Sequence, residues 1–120
     1  MTLWILFFFP HGFHKPDITP PVGSQNVRFF EAGGWQSFQY YYRIDNEPDI
    51  CIEFAKKLMR EHGFGEEIST EPFTSIPENS AYPAWFTPNE IDNGIMLLGD
   101  GFADAFIDTD SGRLYFQIWH

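Results

Sequence analysis

The feature that most constrains the fold of this chain is an alternating pattern on both sides of an Asp-Ser-Gly turn at residues 110–112. Successive side chains of a β-strand point to opposite faces, so the pattern predicts a hairpin in which one face is buried against another element. The first strand of the hairpin has an acidic and aromatic face, formed by Phe102, Asp104, Phe106 and Asp108. The apolar positions of the two strands are Ala103, Ala105, Ile107, Leu114, Phe116 and Ile118.

A second pattern predicts the main helix over about residues 47–62. Apolar residues recur at helical spacing from Ile50 to Met59, and charged residues occupy the other side. Pro48 is tolerated in the first turn of a helix, and Gly63 suits the position that follows its last turn. Because a helix with one apolar stripe must bury it, we expect this helix to pack on a sheet.

Shorter patterns predict the remaining elements. A capping-box pattern from Thr87 to Glu90 predicts a short helix near 88–93, and the proline-rich stretch 10–26 predicts an irregular loop. No repeat or linker divides the chain, so residues 1–120 are expected to form a single domain. The predicted fold class is α+β, with a mostly antiparallel sheet of about 5–7 strands and one main helix. Besides the hairpin, strands are predicted at 2–9, 27–32, 35–44, 65–73 and 95–98.

The net charge of −10 is confined to the second half of the chain. Residues 1–60 hold six acidic and six basic side chains, whereas residues 61–120 hold eleven acidic side chains and a single base, Arg113. A field of one sign speeds the encounter with a cationic partner and repels nucleic acid and anionic membranes. The split therefore favours a basic protein as the partner, with no direct nucleic acid and no membrane; the alternative is that the charge serves only solubility.

No catalytic, metal or cofactor site is predicted. His11 and His14 lack the spacing of known zinc motifs. The stretch 108–112 has its glycine one position too early for a calcium loop. Asp104 and Asp108 are four residues apart on one strand, about 13 Å at about 3.3 Å per residue, which is too far for a paired-carboxylate mechanism within one strand. The chain is therefore predicted not to be an enzyme.

The single cysteine and the N-terminal segment bear on the compartment. Cys51 excludes an intrachain disulfide, fits a reducing compartment and is expected to be a buried apolar residue of the helix. Residues 2–9 are very apolar but have no preceding basic residue, and they are far shorter than the ~20 residues of a membrane span. We expect them to form a buried strand, and we expect the protein to be cytoplasmic.

The acidic half also contains aromatic side chains, and this combination predicts a partner-binding surface. Carboxylates would steer a basic partner, and one or two aromatic rings would anchor it after docking. The alternative is that the carboxylates form a solvated sheet face while the rings belong to the core. The candidate partner-binding residues are Tyr82, Trp85, Glu90, Asp92, Asp100, Asp104, Asp108 and Asp110.

The C-terminal stretch GDGFADAFIDTDSGRLYFQIWH resembles the closing hairpin of SMI1/KNR4-type (SUKH) proteins. That hairpin has a Gly/Asp-rich segment, here residues 99–101, followed by a strand, an Asp-x-Gly turn and an aromatic strand that ends near a histidine. Many bacterial members are immunity proteins that neutralise toxins, often nucleases. The resemblance covers about 22 of the 120 residues, and it implies a toxin-immunity role.

Three functions follow from these patterns. The first is an acidic protein-binding module, an immunity-type inhibitor that neutralises a basic, nuclease-like toxin through its acidic second half. The second is an acidic mimic encoded by a phage or mobile element, which would block a nucleic-acid-binding host protein. The third is a small enzyme or ligand-binding protein, which would need a concave pocket with converging polar groups. For that pocket the sequence offers residues 40–42 together with His11 or His14.

Overall fold

The computed structural model describes residues 18–33, 38–62, 68–74, 82–99 and 103–119. Within these residues the chain forms one six-stranded antiparallel sheet and one main helix, α1 (Pro48–His62), so the predicted α+β fold class is confirmed. The helix agrees with its predicted span, 47–62, to within one residue. The strands are β1 (Gln25–Gly33), β2 (Phe38–Asp45), β3 (Ile68–Pro72), β4 (Gly94–Gly99), β5 (Ala103–Asp108) and β6 (Arg113–Trp119).

The strand order across the sheet is β1-β2-β6-β5-β4-β3. The β1–β2 hairpin forms one side, and the successive strands β3, β4 and β5 form the other. β6 joins them, because it pairs with β2 along one edge and with β5 along the other. Among the described strands, β1 and β3 therefore form the two edges of an open sheet.

The predicted C-terminal hairpin is present, and its turn also anchors the start of α1. Asp108 of β5 and Arg113 of β6 are the paired residues nearest to the turn, and residues 109–112 form the loop between them. Gly112 has a φ of 76°, which favours glycine, and a Cβ atom there would collide with the carbonyl oxygen of Asn46. The backbone N–H of Asn46 donates to the Gly112 carbonyl oxygen at 2.8 Å. The turn is therefore packed against the segment that leads into the helix.

One face of the sheet is covered by α1. The helix buries its apolar stripe, including Cys51, Leu58 and Met59, against alternate residues of the central strands, as its periodicity predicts. Cys51 is fully buried, so its expected burial is confirmed, and its thiol donates to the carbonyl oxygen of Gly112 at 3.5 Å. The strand residues of this cluster are Tyr40, Tyr42, Ile44, Leu97, Ala103, Ala105, Ile107, Leu114, Phe116 and Ile118.

The other face, turned away from α1, is called the distal face below. Its centre is covered by the segment 82–91, which inserts Phe86 and Ile91 against the sheet. Phe86 is 1% exposed, and its ring lies 5.3 Å from that of Tyr115 and 5.0 Å from that of Tyr41. This second aromatic cluster holds the segment in place on the distal face.

The short helix predicted near 88–93 is only a single 3-10 turn, Pro88–Glu90. The predicted capping box does not form, since the side chain of Thr87 makes no cap hydrogen bond. Its hydroxyl instead lies 3.0 Å from the hydroxyl of Tyr115, in hydrogen-bond contact. The helix cannot continue because Ile91 adopts an extended conformation and is buried in the distal-face cluster.

Several sequence predictions concern residues outside the described part of the chain. These are the strand at 2–9, the histidines His11 and His14, and the side chains of Asp100 and Phe102. Residues 18–24, the described end of the predicted 10–26 loop, contain neither helix nor strand. Within the described ranges, no helix is both long and apolar enough to cross a membrane.

Candidate functional site

The register of the sheet arranges the distal face in rows of side chains. Cross-strand partners point to the same face, so Tyr41 of β2, Gln117 of β6 and Asp104 of β5 are neighbours in one row. The next row passes through Tyr115 and Phe106 and lies beneath the segment 82–91. The distal face thus has an apolar middle and a polar row beside it.

The charge split of the sequence becomes a spatial split across this sheet. The first-half strands β1 and β2 lie together on one side, and the four second-half strands lie together on the other. Residues 63–112 contain ten acidic side chains and no basic one. Among the described acids of that stretch, Glu71, Asp104 and Asp108 point to the distal face, since their register partners do. These three carboxylates therefore lie on the distal face, while α1 covers the other one.

A polar pocket opens at the Asp104 end of the distal face. Its volume is about 310 Å³, which lies at the lower end of the range of about 300–1,000 Å³ for small-molecule sites. Five of the lining residues carry hydrogen-bonding groups besides the carboxylate of Asp104. The pocket is lined by Gln39, Tyr41, Tyr82, Asp104, Gln117, Ile118 and Trp119.

The carboxylate of Asp104 is the charged group of this pocket. Among the described residues, it accepts a hydrogen bond from the side-chain amide of Gln117, whose Nε2 lies 3.4 Å from Oδ2. Burial raises the pKa of Asp104 above its usual value, and the Gln117 hydrogen bond only partly opposes this shift. No Lys or Arg side chain of the described residues lines the pocket. Asp104 is thus a half-buried carboxylate with no cationic partner among the described residues that line the pocket.

Tyr82 and Tyr41 form an aromatic wall beside Asp104. Their ring centroids are 5.5 Å apart in an edge-to-face arrangement, and both rings contact Phe86. Burial raises the pKa of the Tyr82 hydroxyl; the amide of Gln117 opposes the shift and the Asp104 charge adds to it. Tyr82, Asp104 and Gln117 all line this pocket. Trp119, 37% exposed, stands at the rim.

Trp85, another candidate residue, is not among the residues that line the pocket, and its ring packs against the side chain of Arg43. The guanidinium of Arg43 is 5.7 Å from the ring centroid of Trp85, and its Nη1 donates to the Trp85 carbonyl oxygen at 3.3 Å. A second nitrogen, Nη2, donates to the carbonyl oxygen of Asn26 at 3.4 Å. Arg43 therefore ties the segment 82–91 to β2, and the structural role of Trp85 is to hold this contact.

The other described candidate acids are Asp108, Asp110, Glu90 and Asp92, and they lie toward the end of β5 opposite to Asp104. The carboxylate of Asp108 stabilises the turn. Its Oδ1 accepts hydrogen bonds from the backbone N–H groups of Asp110 and Ser111 at 2.9 and 3.2 Å. Asp110 accepts a hydrogen bond from the amide of Asn93 at 3.1 Å. The two remaining carboxylates, those of Glu90 and Asp92, are exposed and take part in none of the side-chain hydrogen bonds between described residues.

The candidate set thus divides into two groups. Tyr82 and Asp104 come together in the pocket, whereas Glu90, Asp92, Asp108 and Asp110 surround the opposite end of the distal face. Trp85 lies over Arg43, between these groups, and Asp100 is outside the described residues.

The candidate partner-binding residues did not include four polar or aromatic residues of the pocket, namely Gln39, Tyr41, Gln117 and Trp119. The predicted turn contains a signal for one of them. Counting back along both strands from Asp108 and Arg113 pairs Asp104 directly with Gln117. Gln39 and Tyr41 reach the pocket only because β2 pairs with β6, and no local pattern specifies that pairing.

The pocket proposed at residues 40–42 differs from the one observed. Tyr40 and Tyr42 face α1 and are buried in its cluster, while Tyr41 points to the distal face. Strand alternation separates them, because neighbouring residues of a strand cannot line the same face. Tyr41 alone contributes to the pocket, and the two histidines are outside the described residues.

Comparisons with known proteins return no relative. The chain matches no family profile, no curated protein and no solved structure.

Proposed function

We propose that this protein binds a basic protein through its distal face. The observation that carries the proposal is the spatial separation of charge: the stretch 63–112, with ten acidic and no basic residues, supplies the strands β3, β4 and β5 on one side of the sheet. An excess of carboxylates on one side of a surface steers a basic partner toward that side and raises the association rate. α1 covers the other face, so the proposed partner surface is the distal face together with the segment 82–91 that packs on its centre.

The partner class that best fits this surface is a toxin, so the proposed role is an immunity-type inhibitor. Nucleases present basic surfaces to their substrates, and an acidic surface can occupy such a site in place of nucleic acid. The resemblance of the C-terminal hairpin to SMI1/KNR4-type proteins favours the same role. An acidic mimic that blocks a nucleic-acid-binding host protein would use the same surface and differ only in its partner.

Three exposed acids provide a test of the surface. Glu71, Glu90 and Asp92 are exposed, and their carboxylates make no side-chain hydrogen bond with another described residue. Their neutralisation should therefore leave the fold intact. The test variant is E71Q/E90Q/D92N. The control is E47Q/D49N/E53Q, which removes the same charge from exposed acids at and just before the start of α1.

The proteins are immobilised and exposed to lysate of the source cells at about 0.1 M and about 1 M salt, at which the Debye length falls from about 10 Å to about 3 Å. We expect wild type and the α1 control to retain the same basic protein at low salt, and the distal-face variant to lose it. If the captured protein is a nuclease, wild type should inhibit it and the distal-face variant should inhibit it less. Equal retention by both variants would contradict the proposal.

A further inference from the structure

The distal face contains a concave feature, the pocket around Asp104, that charge steering alone does not explain. Long-range attraction needs exposed carboxylates, such as those of Glu90 and Asp92. Asp104 is instead half-buried, and the polar groups of Gln39, Gln117 and Tyr82 surround it. Burying a carboxylate without a cation costs free energy, so this arrangement calls for a ligand that supplies the missing positive charge.

The lining of the pocket indicates the chemistry of that ligand. The Asp104 carboxylate and the amide oxygens of the glutamines are hydrogen-bond acceptors, which suit a ligand with several donors. The rings of Tyr41, Tyr82 and Trp119 border the same space, and aromatic faces attract cations. A planar cation with several N–H donors satisfies both requirements.

We propose that the pocket receives an arginine side chain of the basic partner, with the guanidinium donating to the Asp104 carboxylate and lying against the aromatic wall of Tyr41 and Tyr82. This inference rests on the proposed function, because it takes the partner to be a basic protein. It adds the anchor: acidic residues across the distal face attract the partner, and this pocket holds one of its side chains.

Arginine fits this site better than lysine. A guanidinium carries five donors in a planar fork that matches a carboxylate and neighbouring carbonyl oxygens, and it stacks on aromatic rings. It is also less strongly hydrated than an ammonium group, so it enters a half-buried site at a lower desolvation cost. An ammonium group could pair with Asp104 but would leave the amide acceptors and the aromatic wall less well used.

The test uses three capped tripeptides, Gly-Arg-Gly, Gly-Lys-Gly and Gly-citrulline-Gly, added to the full chain. Citrulline has nearly the shape of arginine without its charge. Binding is followed by nuclear magnetic resonance through the side-chain amide signals of Gln39 and Gln117 and the indole signal of Trp119. The Asp104→Asn variant removes the charge while preserving the size of the side chain, and Asp92→Asn removes a charge from an exposed residue next to the segment 82–91.

We expect the arginine peptide to shift the three signals in wild type and in Asp92→Asn, with lysine weaker and citrulline without effect. In Asp104→Asn the affinity for the arginine peptide should fall about tenfold or more, because a charge-assisted hydrogen bond is lost. The proposal is overturned if no signal moves at millimolar peptide, if citrulline matches arginine, or if the two aspartate variants lose affinity equally.

The two proposals fail in different ways. If the arginine peptide does not bind at Asp104 while E71Q/E90Q/D92N still loses the captured protein, the pocket assignment is wrong and the binding surface stands. If the peptide binds and requires Asp104 but the captured protein is retained equally by both triple variants, the acidic surface is not the partner site. The pocket is then a site for small guanidinium ligands.

Discussion

Arg113 and Asp45 connect the two halves of the chain through a two-bond ion pair. Nε of Arg113 lies 2.6 Å from Oδ1 of Asp45, and Nη2 lies 2.8 Å from Oδ2. The two residues are register partners on β6 and β2, so the pair crosses the junction between the first-half and second-half strands. The hydrogen bonds from Arg113 lower the pKa of the Asp45 carboxyl, although its partial burial acts in the opposite direction.

We expect Asp45→Asn to lower the free energy of unfolding by about 1–3 kcal/mol at neutral pH, because it removes charge-assisted hydrogen bonds. A depressed folded pKa stabilises the fold above the unfolded value of about 3.9, and this stabilisation is lost as the pH falls through the folded pKa. The deficit of the variant should therefore shrink in acid. Urea unfolding across this pH range measures it, with Asp49→Asn as the control for losing an exposed charge; a deficit independent of pH would refute the assignment.

Gly112→Ala should destabilise the protein more than Gly23→Ala. Both glycines have positive φ, 76° and 89°, so both substitutions carry the conformational cost of about 1–2 kcal/mol for an L-residue in the left-handed region. Only at Gly112 would the new Cβ also collide with a carbonyl oxygen, that of Asn46; at Gly23 no atom lies within 4 Å. Urea midpoints of the two variants test this, and equal losses would show that the packing of the turn against residue 46 contributes nothing.

Phe86→Ala should release the segment 82–91 from the distal face. Phe86 is the centre of four ring contacts, and truncating a buried phenylalanine costs about 3–5 kcal/mol. Hydrogen exchange should show loss of protection in residues 82–91 with smaller changes in α1. Phe54→Ala, which truncates a ring buried on the α1 face, is the matched control and should give the reverse pattern. Identical exchange patterns in the two variants would contradict this division into two clusters.

The stability of the protein should decline in alkali, in part through Cys51. Burial raises the pKa of this thiol to about 11. A raised folded pKa stabilises the fold fully below the unfolded value of about 8.5, and this contribution is lost as the pH rises toward the folded value. Cys51→Ala should therefore lose less stability than wild type between these two pH values. If the free energy of unfolding fell equally steeply with pH in both proteins, the raised pKa of Cys51 would be contradicted. Slow alkylation of the folded wild-type thiol provides an independent check.

Asp104→Asn should be at least as stable as wild type at neutral pH, in contrast to Asp45→Asn. Burial raises the folded pKa of Asp104, so its contribution to stability is present below the unfolded value of about 3.9 and is lost as the pH rises through the folded pKa. The Asp104→Asn variant has no such charge, so this loss of stability with rising pH should be absent from it. Urea unfolding at acid and neutral pH gives the comparison, and a marked loss of stability at neutral pH would show that Asp104 serves the fold rather than a ligand.

The elements that depend on local periodicity were predicted closely. The apolar spacing around Leu58 and Met59 placed α1 to within one residue, and the alternation around residues 110–112 placed the C-terminal hairpin. The short helix near 88–93 begins at Pro88 as predicted but ends at Glu90 without the capping box, because a capping pattern is local, whereas Tyr115, which contacts the Thr87 hydroxyl, is 28 residues away. Tertiary contacts decide such cases, and a sequence pattern does not contain them.

The pocket was out of reach for the same reason. Asp104 was a candidate because of its charge, but glutamines on strands resemble ordinary solvent-facing residues. Gln39 and Gln117 meet Asp104 only after β2 pairs with β6 and β6 with β5. The strand order that creates the pocket is non-local. The sequence could therefore suggest that the Asp104 carboxylate belongs to a binding surface, but it could not reveal the pocket.

The central position of β6 has a consequence for how this protein acquires its structure. β6 follows every other described strand in the chain, yet it lies between β2 and β5. During synthesis the β1–β2 hairpin and the β3–β4–β5 meander emerge first, each with an unpaired edge facing the space that β6 will fill. Pairings this distant in sequence close slowly. The nascent chain must therefore keep two half-sheets from aggregating until one late strand inserts between them and completes the domain.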